Sequence, residues 1–238
     1  MEGKSILSLT LLKDKVYEYL RNQMKIGKIR PGSMFDITAT SQKLGVSKTP
    51  LRDALIHLEM EGFVKIMPRR GVVVNVLTVQ DIKDIYEIVG ALESVAIISA
   101  SDKLGEAKVK KMEKLNEAMV KAIDKDNFAQ YYEINLEFHN VYIYLSGNKV
   151  LSKMTNTLKK RLYDFPRRFR YIKEWEITSI KEHQKLHELL SEGKYLDAAS
   201  FIRDVHWSFK MQEKYIRIYY SNDINDIKVE NLKRKIQI

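Results

Sequence analysis

No cysteine occurs among the 238 residues. Disulfides, thiolate metal ligands and a cysteine nucleophile are thereby excluded, and the composition suits a reducing cytoplasm. Proline is scarce at four, and the ten glycines are too few for a fibrous or low-complexity chain. No apolar run approaches the roughly 20 residues that span a bilayer, so no membrane partner is expected. Ile6 to Leu12 is short and charges follow it at once, unlike a secretory leader. A glycine-rich phosphate loop is also missing, and beyond residue 78 there is no strand alternation.

Basic charge is present in excess. The formal net charge is +10, and it is unevenly spread: residues 1–78 hold 13 basic and 7 acidic residues, whereas 79–220 hold 24 and 21. An excess concentrated in the N-terminal third fits an electrostatic footprint for a polyanion such as DNA.

The stretch Leu44 to Leu55 has the layout of a turn feeding the second helix of a helix-turn-helix. Gly45 can take the left-handed conformation that ends a helix. Ser47 or Thr49 can cap the next helix, and Pro50 fits its first turn. Leu51, Ala54, Leu55 and Leu58 recur at helical spacing and supply a buried face, leaving Ser47, Lys48, Thr49 and Arg52 on the exposed N-terminal end. That end faces base edges and phosphates when such a helix enters a major groove.

Around this unit the periodicity predicts a first helix over Leu11 to Ile26 behind a flexible lead, a short one over Thr38 to Leu44, and the recognition helix over Pro50 to Glu61. Phe63 to Ile66 and Val72 to Val76 read as strands of a hairpin, with Arg69, Arg70 and Gly71 in its basic turn. Thr78 and Asp81 have the spacing of a capping box and mark a domain boundary. Beyond it the pattern predicts helices over Asp81–Ala100, Lys108–Asp124, Asn127–Leu145, Val150 to about Phe165, Thr178–Glu192 and Tyr195–Tyr219, with a break at Pro166. The expected fold class is mainly α, with domains at 1–78 and 79–220 and a tail at 221–238. Its architecture is a helix-turn-helix with a β-hairpin wing, followed by an all-α antiparallel bundle.

Four motifs in order carry a family resemblance: Gly27–Gly32, Leu44–Leu55, Leu58–Val64 and Pro68–Val74. Together they resemble the winged-helix DNA-binding domain of GntR-type bacterial transcription regulators. Lys48 stands where that family usually has arginine. The second domain resembles the FCD effector domain of the FadR-like branch, through Asp84–Glu87 with Leu92–Glu93, Phe138–His139, Leu145–Asn148, Glu182–His183, and Gly193 and Asp197–Ala199 with His206.

That resemblance implies a metal site. The family pattern of an Asp or Asn, a His four residues on, and two later His falls on Asn135, His139, His183 and His206. Positions four apart share a helix face. Three imidazoles suit a divalent ion such as zinc or nickel and leave coordination positions open. The family often carries an arginine four residues before Glu93. Val89 stands there instead, so Arg161, in the basic stretch that continues to Arg167–Arg170, is the candidate anchor for an anionic effector.

The combined expectation is a cytoplasmic, homodimeric transcription regulator and not an enzyme. It would repress from an inverted-repeat operator on double-stranded DNA and sense a small carboxylate metabolite through the metal. The alternative is a metal-dependent enzyme with a nucleic-acid-binding appendage. It needs a general base beside the metal, and Glu137 and Glu182, though next to the relevant stretches, point elsewhere on their helices.

Overall fold

The computed structural model describes residues 3–165 and 171–220. The break expected at Pro166, the run Arg167 to Arg170 and the tail 221–238 lie outside the described residues. The chain divides into two compact units, Met1–Leu77 with Lys160–Arg167, and Thr78–Lys159 with Arg168–Ile238.

The first unit holds α1 (Gly3–Lys25), β1 (Met34–Phe35), α2 (Ile37–Leu44), α3 (Lys48–Met60), β2 (Val64–Met67) and β3 (Gly71–Val74). The first helix begins at Gly3, earlier than the expected Leu11, because nothing between Gly3 and Leu11 breaks a helix. Asp36 caps α2 by accepting the Ala39 N–H at 2.9 Å. Gly45, at φ +62°, closes it in the left-handed conformation that the next turn requires. Leu20, Met24, Leu51, Leu55, Leu58, Phe63 and Val74 form the core on which α1 and α3 pack.

The hairpin gains a third strand that the sequence did not betray. β1 pairs antiparallel with β3 through Met34↔Val73 and Phe35↔Val72, giving the order β1-β3-β2. Two residues are too few to show a period.

The last residues of α7 (Lys149–Asp164) also belong to this unit, a placement the expected boundary at residue 78 misses. Asp164 sits 2.8 Å from the Arg21 guanidinium, and Phe165 stacks on Phe63 with ring centroids 5.7 Å apart.

The second unit is helical throughout its described residues: α4 (Val79–Ala100), α5 (Glu106–Asp124), α6 (Phe128–Leu145), the body of α7, α8 (Lys173–Ser191), α9 (Tyr195–Phe201) and α10 (Phe209–Tyr220). The capping box at Thr78 and Asp81 is present, with the Asp81 N–H 3.1 Å from Thr78 Oγ1 and the Thr78 N–H 2.8 Å from the Asp81 carboxylate. α8 starts at Lys173, not Thr178: Glu174 and Glu176 favour its N-terminal turn, and the Thr178 hydroxyl donates back to the Glu174 carbonyl at 2.9 Å.

The last predicted helix is interrupted. Ile202–His206 forms a π-helical turn, with the Trp207 N–H reaching back to the Ile202 carbonyl at 2.9 Å. Such an insertion rotates the residues after it relative to an unbroken helix. α4 meets this turn closely at Gly90, where an added Cβ would lie 3.0 Å from Trp207 Cβ and 3.4 Å from the Arg203 backbone.

Candidate metal centre and nucleic-acid interface

Three histidines from three elements converge inside the helical unit. His139 comes from α6, His183 from α8 and His206 from the π-helical turn. Each offers a ring nitrogen, and these atoms lie within 4.8 Å of one another. His139 and His183 are fully enclosed and His206 is 8% exposed.

Hydrogen bonds settle which nitrogens face each other. Glu93 Oε2 accepts the Tyr142 hydroxyl at 2.5 Å and the Trp207 indole N–H at 3.0 Å. Glu93 Oε1 pairs with the Lys159 ammonium. His139 Nδ1 lies 2.8 Å from Glu93 Oε2 and 2.6 Å from the Tyr142 oxygen. An ionised carboxylate only accepts, and the Tyr142 proton is already given to it, so His139 Nδ1 must carry hydrogen. Its Nε2 is therefore a bare lone pair.

On the opposite side His206 Nδ1 lies 2.8 Å from Glu182 Oε2. Gln212 donates to Glu182 Oε1 at 2.8 Å and is itself held by the Trp175 indole N–H at 2.8 Å. With Nδ1 so engaged, Nε2 is the nitrogen His206 has to offer. A carboxylate behind an imidazole fixes its tautomer and makes it a better donor to a cation.

Two of the three imidazoles are held toward the neutral form. Burial pushes His139 down to about 3, against the raising pull of Glu93. Burial also drives His183 well below its ordinary value, with His206 and His139 adding to the shift. Burial alone would raise Glu93, but His139 and Lys159 beside it outweigh that and hold the carboxyl below the usual carboxylate range.

His183 Nε2 lies 3.2 Å from His139 Nε2. Since the latter is bare, His183 donates across this contact when no cation is present. Two nitrogens held at about 2.05 Å from a tetrahedral zinc are about 3.3 Å apart, so the spacing also fits a shared cation.

Asn135 is buried one turn before His139 on α6. Val89 is buried in α4, where the resemblance implied an arginine. Arg161 groups with the first unit, where its guanidinium carbon and Nε lie 3.0 Å from the place a Cβ on Gly62 would take. The buried cation near the histidines is Lys159, two residues earlier, which the sequence presents only as part of a basic run.

The DNA-facing candidates lie together in the first unit. Ser47, Lys48, Thr49 and Arg52 are exposed at the N-terminal end of α3, while Pro50 and Leu51 between them are buried. Ser47 takes the N-cap position without a side-chain capping bond. Arg69, Arg70 and Gly71 are exposed at the β2–β3 turn, with Arg69 at φ +62° and Gly71 at φ +106°.

Residues 84–205, just over half the chain, match the FCD domain, and residues 12–74 match the bacterial regulatory proteins of the gntR family. The chain belongs to the GntR family, in the group with an FCD domain. It is a DNA-binding transcription regulator of GntR/FCD type and not an enzyme. The uncharacterized HTH-type transcriptional regulator YdhC of Bacillus subtilis is 28% identical over 174 residues, 72% of this chain and 77% of that one. The Nta operon transcriptional regulator of Aminobacter aminovorans is 27% identical over 175 residues, 73% and 80% of the two chains. Among solved structures, E. coli McbR/YncC shares the fold at a TM-score of 0.62, with 22% identity over 87% of this chain and 96% of that one.

GntR regulators bind DNA and typically act as dimers, and FCD domains bind metal or ligand effectors. Of the two glutamates weighed as a base for the enzyme alternative, Glu182 is engaged by His206, and Glu137 is exposed and paired with Lys111 at 2.8 Å. No helix among the described residues is long and apolar enough to cross a membrane.

Proposed function

We propose that this regulator is a cytoplasmic homodimer that represses transcription from an inverted-repeat operator and releases or tightens its hold when a small carboxylate reaches a divalent metal in the FCD domain. The observation that carries this reading is the set of buried imidazoles, two of them backed by carboxylates on Nδ1. Such an arrangement is costly as ordinary packing, because it places polar rings and the fully enclosed Glu93 carboxylate in the interior. As a metal centre the same groups are ligands with their orienting partners. His139, His183 and His206 would hold zinc or nickel, Asn135 would add a neutral oxygen, and the open positions would take the carboxylate oxygens of an effector. Neutral ligands leave the ion's charge uncompensated, which favours an anionic effector.

On the DNA side, Lys48, Thr49 and Arg52 read the major groove from α3, with Ser47 at its cap, while Arg69, Arg70 and Gly71 contact the backbone from the hairpin. Two half-sites call for two readers, hence the dimer. Binding of operator DNA is to be measured by fluorescence anisotropy with zinc or nickel present, across a panel of small carboxylic acids followed by chromatography. The reading expects one acid to change operator affinity several-fold and to be recovered unconsumed. An acid that is turned over, or a panel without effect on metal-loaded protein, would overturn it.

A further inference from the structure

We infer that Lys159 is the internal counter-ion of the imidazole centre, setting how well the helical unit stands without metal and how tightly it takes one. The inference rests on the metal reading above and goes beyond it to a residue that is no ligand.

Four donors meet on Glu93, but unequally. Oε2 receives His139 Nδ1–H, the Tyr142 hydroxyl and the Trp207 indole. Oε1 is served by Lys159. Both partners are closed off from water, at 0% exposure for the Glu93 side chain and 1% for Lys159. The ammonium also lies 5.4 Å from the centroid of the Trp207 ring, so its charge faces a carboxylate on one side and an aromatic face on the other. A buried carboxylate with no compensating charge is among the most destabilising features a core can hold. Without metal, Lys159 provides that compensation.

The same geometry limits metal affinity. Glu93 stands behind His139, on the Nδ1 side, and its negative charge strengthens the Nε2 lone pair that would face a cation. Lys159 draws on that charge from the far side of the carboxylate. The centre therefore trades affinity for a metal-free state that remains folded, which a sensor whose occupancy varies requires. Removing Lys159 while keeping Glu93 should shift the balance: the metal would become the only cation able to neutralise the carboxylate.

The test uses the full chain, with zinc alone as ligand, in three forms: wild type, Lys159→Met, which keeps the length of the side chain and removes its charge, and Lys159→Met with Glu93→Gln. Zinc affinity is read by competition with a chromophoric chelator, cobalt(II) absorption reports the coordination sphere, and thermal melting is followed with chelator and with zinc. For Lys159→Met the inference expects a lower melting temperature in chelator, a larger rise on adding zinc, and zinc affinity at least tenfold above wild type. For the double variant it expects melting in chelator restored toward wild type and zinc affinity below wild type by 10-fold or more, about the loss that removing an orienting partner brings. Lys159→Met with wild-type zinc affinity and wild-type melting would overturn it. If Lys159→Met fails to fold even with zinc, rescue by Glu93→Gln supports the counter-ion and failure of rescue refutes it. A wild type that takes no zinc or cobalt sinks the metal reading and the affinity claim together. The melting comparison in chelator then still decides whether Lys159 compensates Glu93.

Discussion

The two units place their functional groups in opposite ways. In the winged unit they are exposed and close in sequence: Ser47, Lys48, Thr49 and Arg52 lie at the N-terminal end of α3, and Arg69, Arg70 and Gly71 share one hairpin turn. The core beneath them can be complete without them. In the helical unit the candidate groups are dispersed and, apart from the half-buried Glu182, buried, with Glu93 on α4, His139 and Tyr142 on α6, Lys159 on α7, Glu182 and His183 on α8, and His206 and Trp207 in and just after the π-helical turn. Here the site is the core. A substitution in the first unit should therefore change binding and spare stability, whereas one in the second should change both at once.

The largest expected effect is at His139. His139→Ala removes a ligand, leaves Glu93 and Tyr142 without their imidazole and opens a cavity in a closed site. Metal binding should be lost and the helical unit destabilised by about 2–4 kcal/mol, the usual range for such a core truncation. Intrinsic operator affinity should stay within about twofold of wild type, since the winged unit has its own core. Zinc content, denaturant unfolding and operator titration of the same preparation check all three.

Acid should act next. His139 is held near 3 in the folded protein, below the ordinary 6.5, so the unfolded chain takes up the extra proton. Stability that is complete above about pH 6.5 is lost as pH falls from there toward 3, at up to about 1.4 kcal/mol per pH unit for each such imidazole. His183 shifts in the same direction and steepens the loss. Ordinary imidazoles would surrender a metal below about pH 6.5. His139 and His183 are already neutral in the fold, so metal should persist below that pH and leave when the helical unit unfolds. Parallel zinc-release and circular-dichroism titrations between pH 7 and 4 should give coincident midpoints; zinc release well ahead of unfolding would contradict the buried neutral ligands.

Gly90→Ala sharpens the same contrast by touching no ligand. Alanine gains about 1 kcal/mol of helix propensity over glycine. However, its Cβ would meet Trp207 Cβ at 3.0 Å and the Arg203 backbone at 3.4 Å, and overpacking of this kind costs about 1–3 kcal/mol. The overpacking should offset that gain, with a net loss of up to about 2 kcal/mol, and displace the turn carrying His206, lowering zinc affinity along with the melting temperature. An unchanged zinc affinity would show that the turn is less tightly set than the packing implies.

In the winged unit, Arg52→Ala should leave the melting curve where it is. It should cost about 1–3 kcal/mol of operator binding and relax base preference, while Arg70→Ala should weaken all sequences alike and flatten the salt dependence. A stability loss comparable to the binding loss would break the comparison between the units.

The legibility of the sequence follows the same division. The helix-turn-helix could be read because its signals are local: Gly45 ends one helix, Pro50 and the leucines shape the next, and exposure follows from periodicity. The histidines could be named from the family pattern because histidine is rare, with five in the chain. Their partners could not. Glu182 adjoins His183 in sequence but serves His206, because neighbours on a helix point apart and the contact is made across the bundle. Lys159 stands in a run of basic residues that reads as a solvated face, and only tertiary packing shows that its side chain turns inward. The π-helical turn is silent because Tyr195–Tyr219 keeps a helical composition throughout, and the insertion is fixed by the close approach of α4 at Gly90. β1 is too short to show alternation. The last turn of α7 belongs with the winged unit through Asp164 and Phe165, contacts between positions more than a hundred residues apart in the chain.

The buried imidazoles, as proposed, form a metal centre that contributes to the stability of the folded helical unit. The most direct measurement is the thermal melting of the full-length wild type, stripped with chelator and then reloaded with zinc or nickel, with metal content determined on the same samples. Reloading should give about one ion per chain and a melting temperature raised by several degrees, because an ion held only by the folded state stabilises it. Protein that retains no ion after incubation with either metal, and melts at the same temperature with and without chelator, would show that the three histidines are polar packing and nothing more.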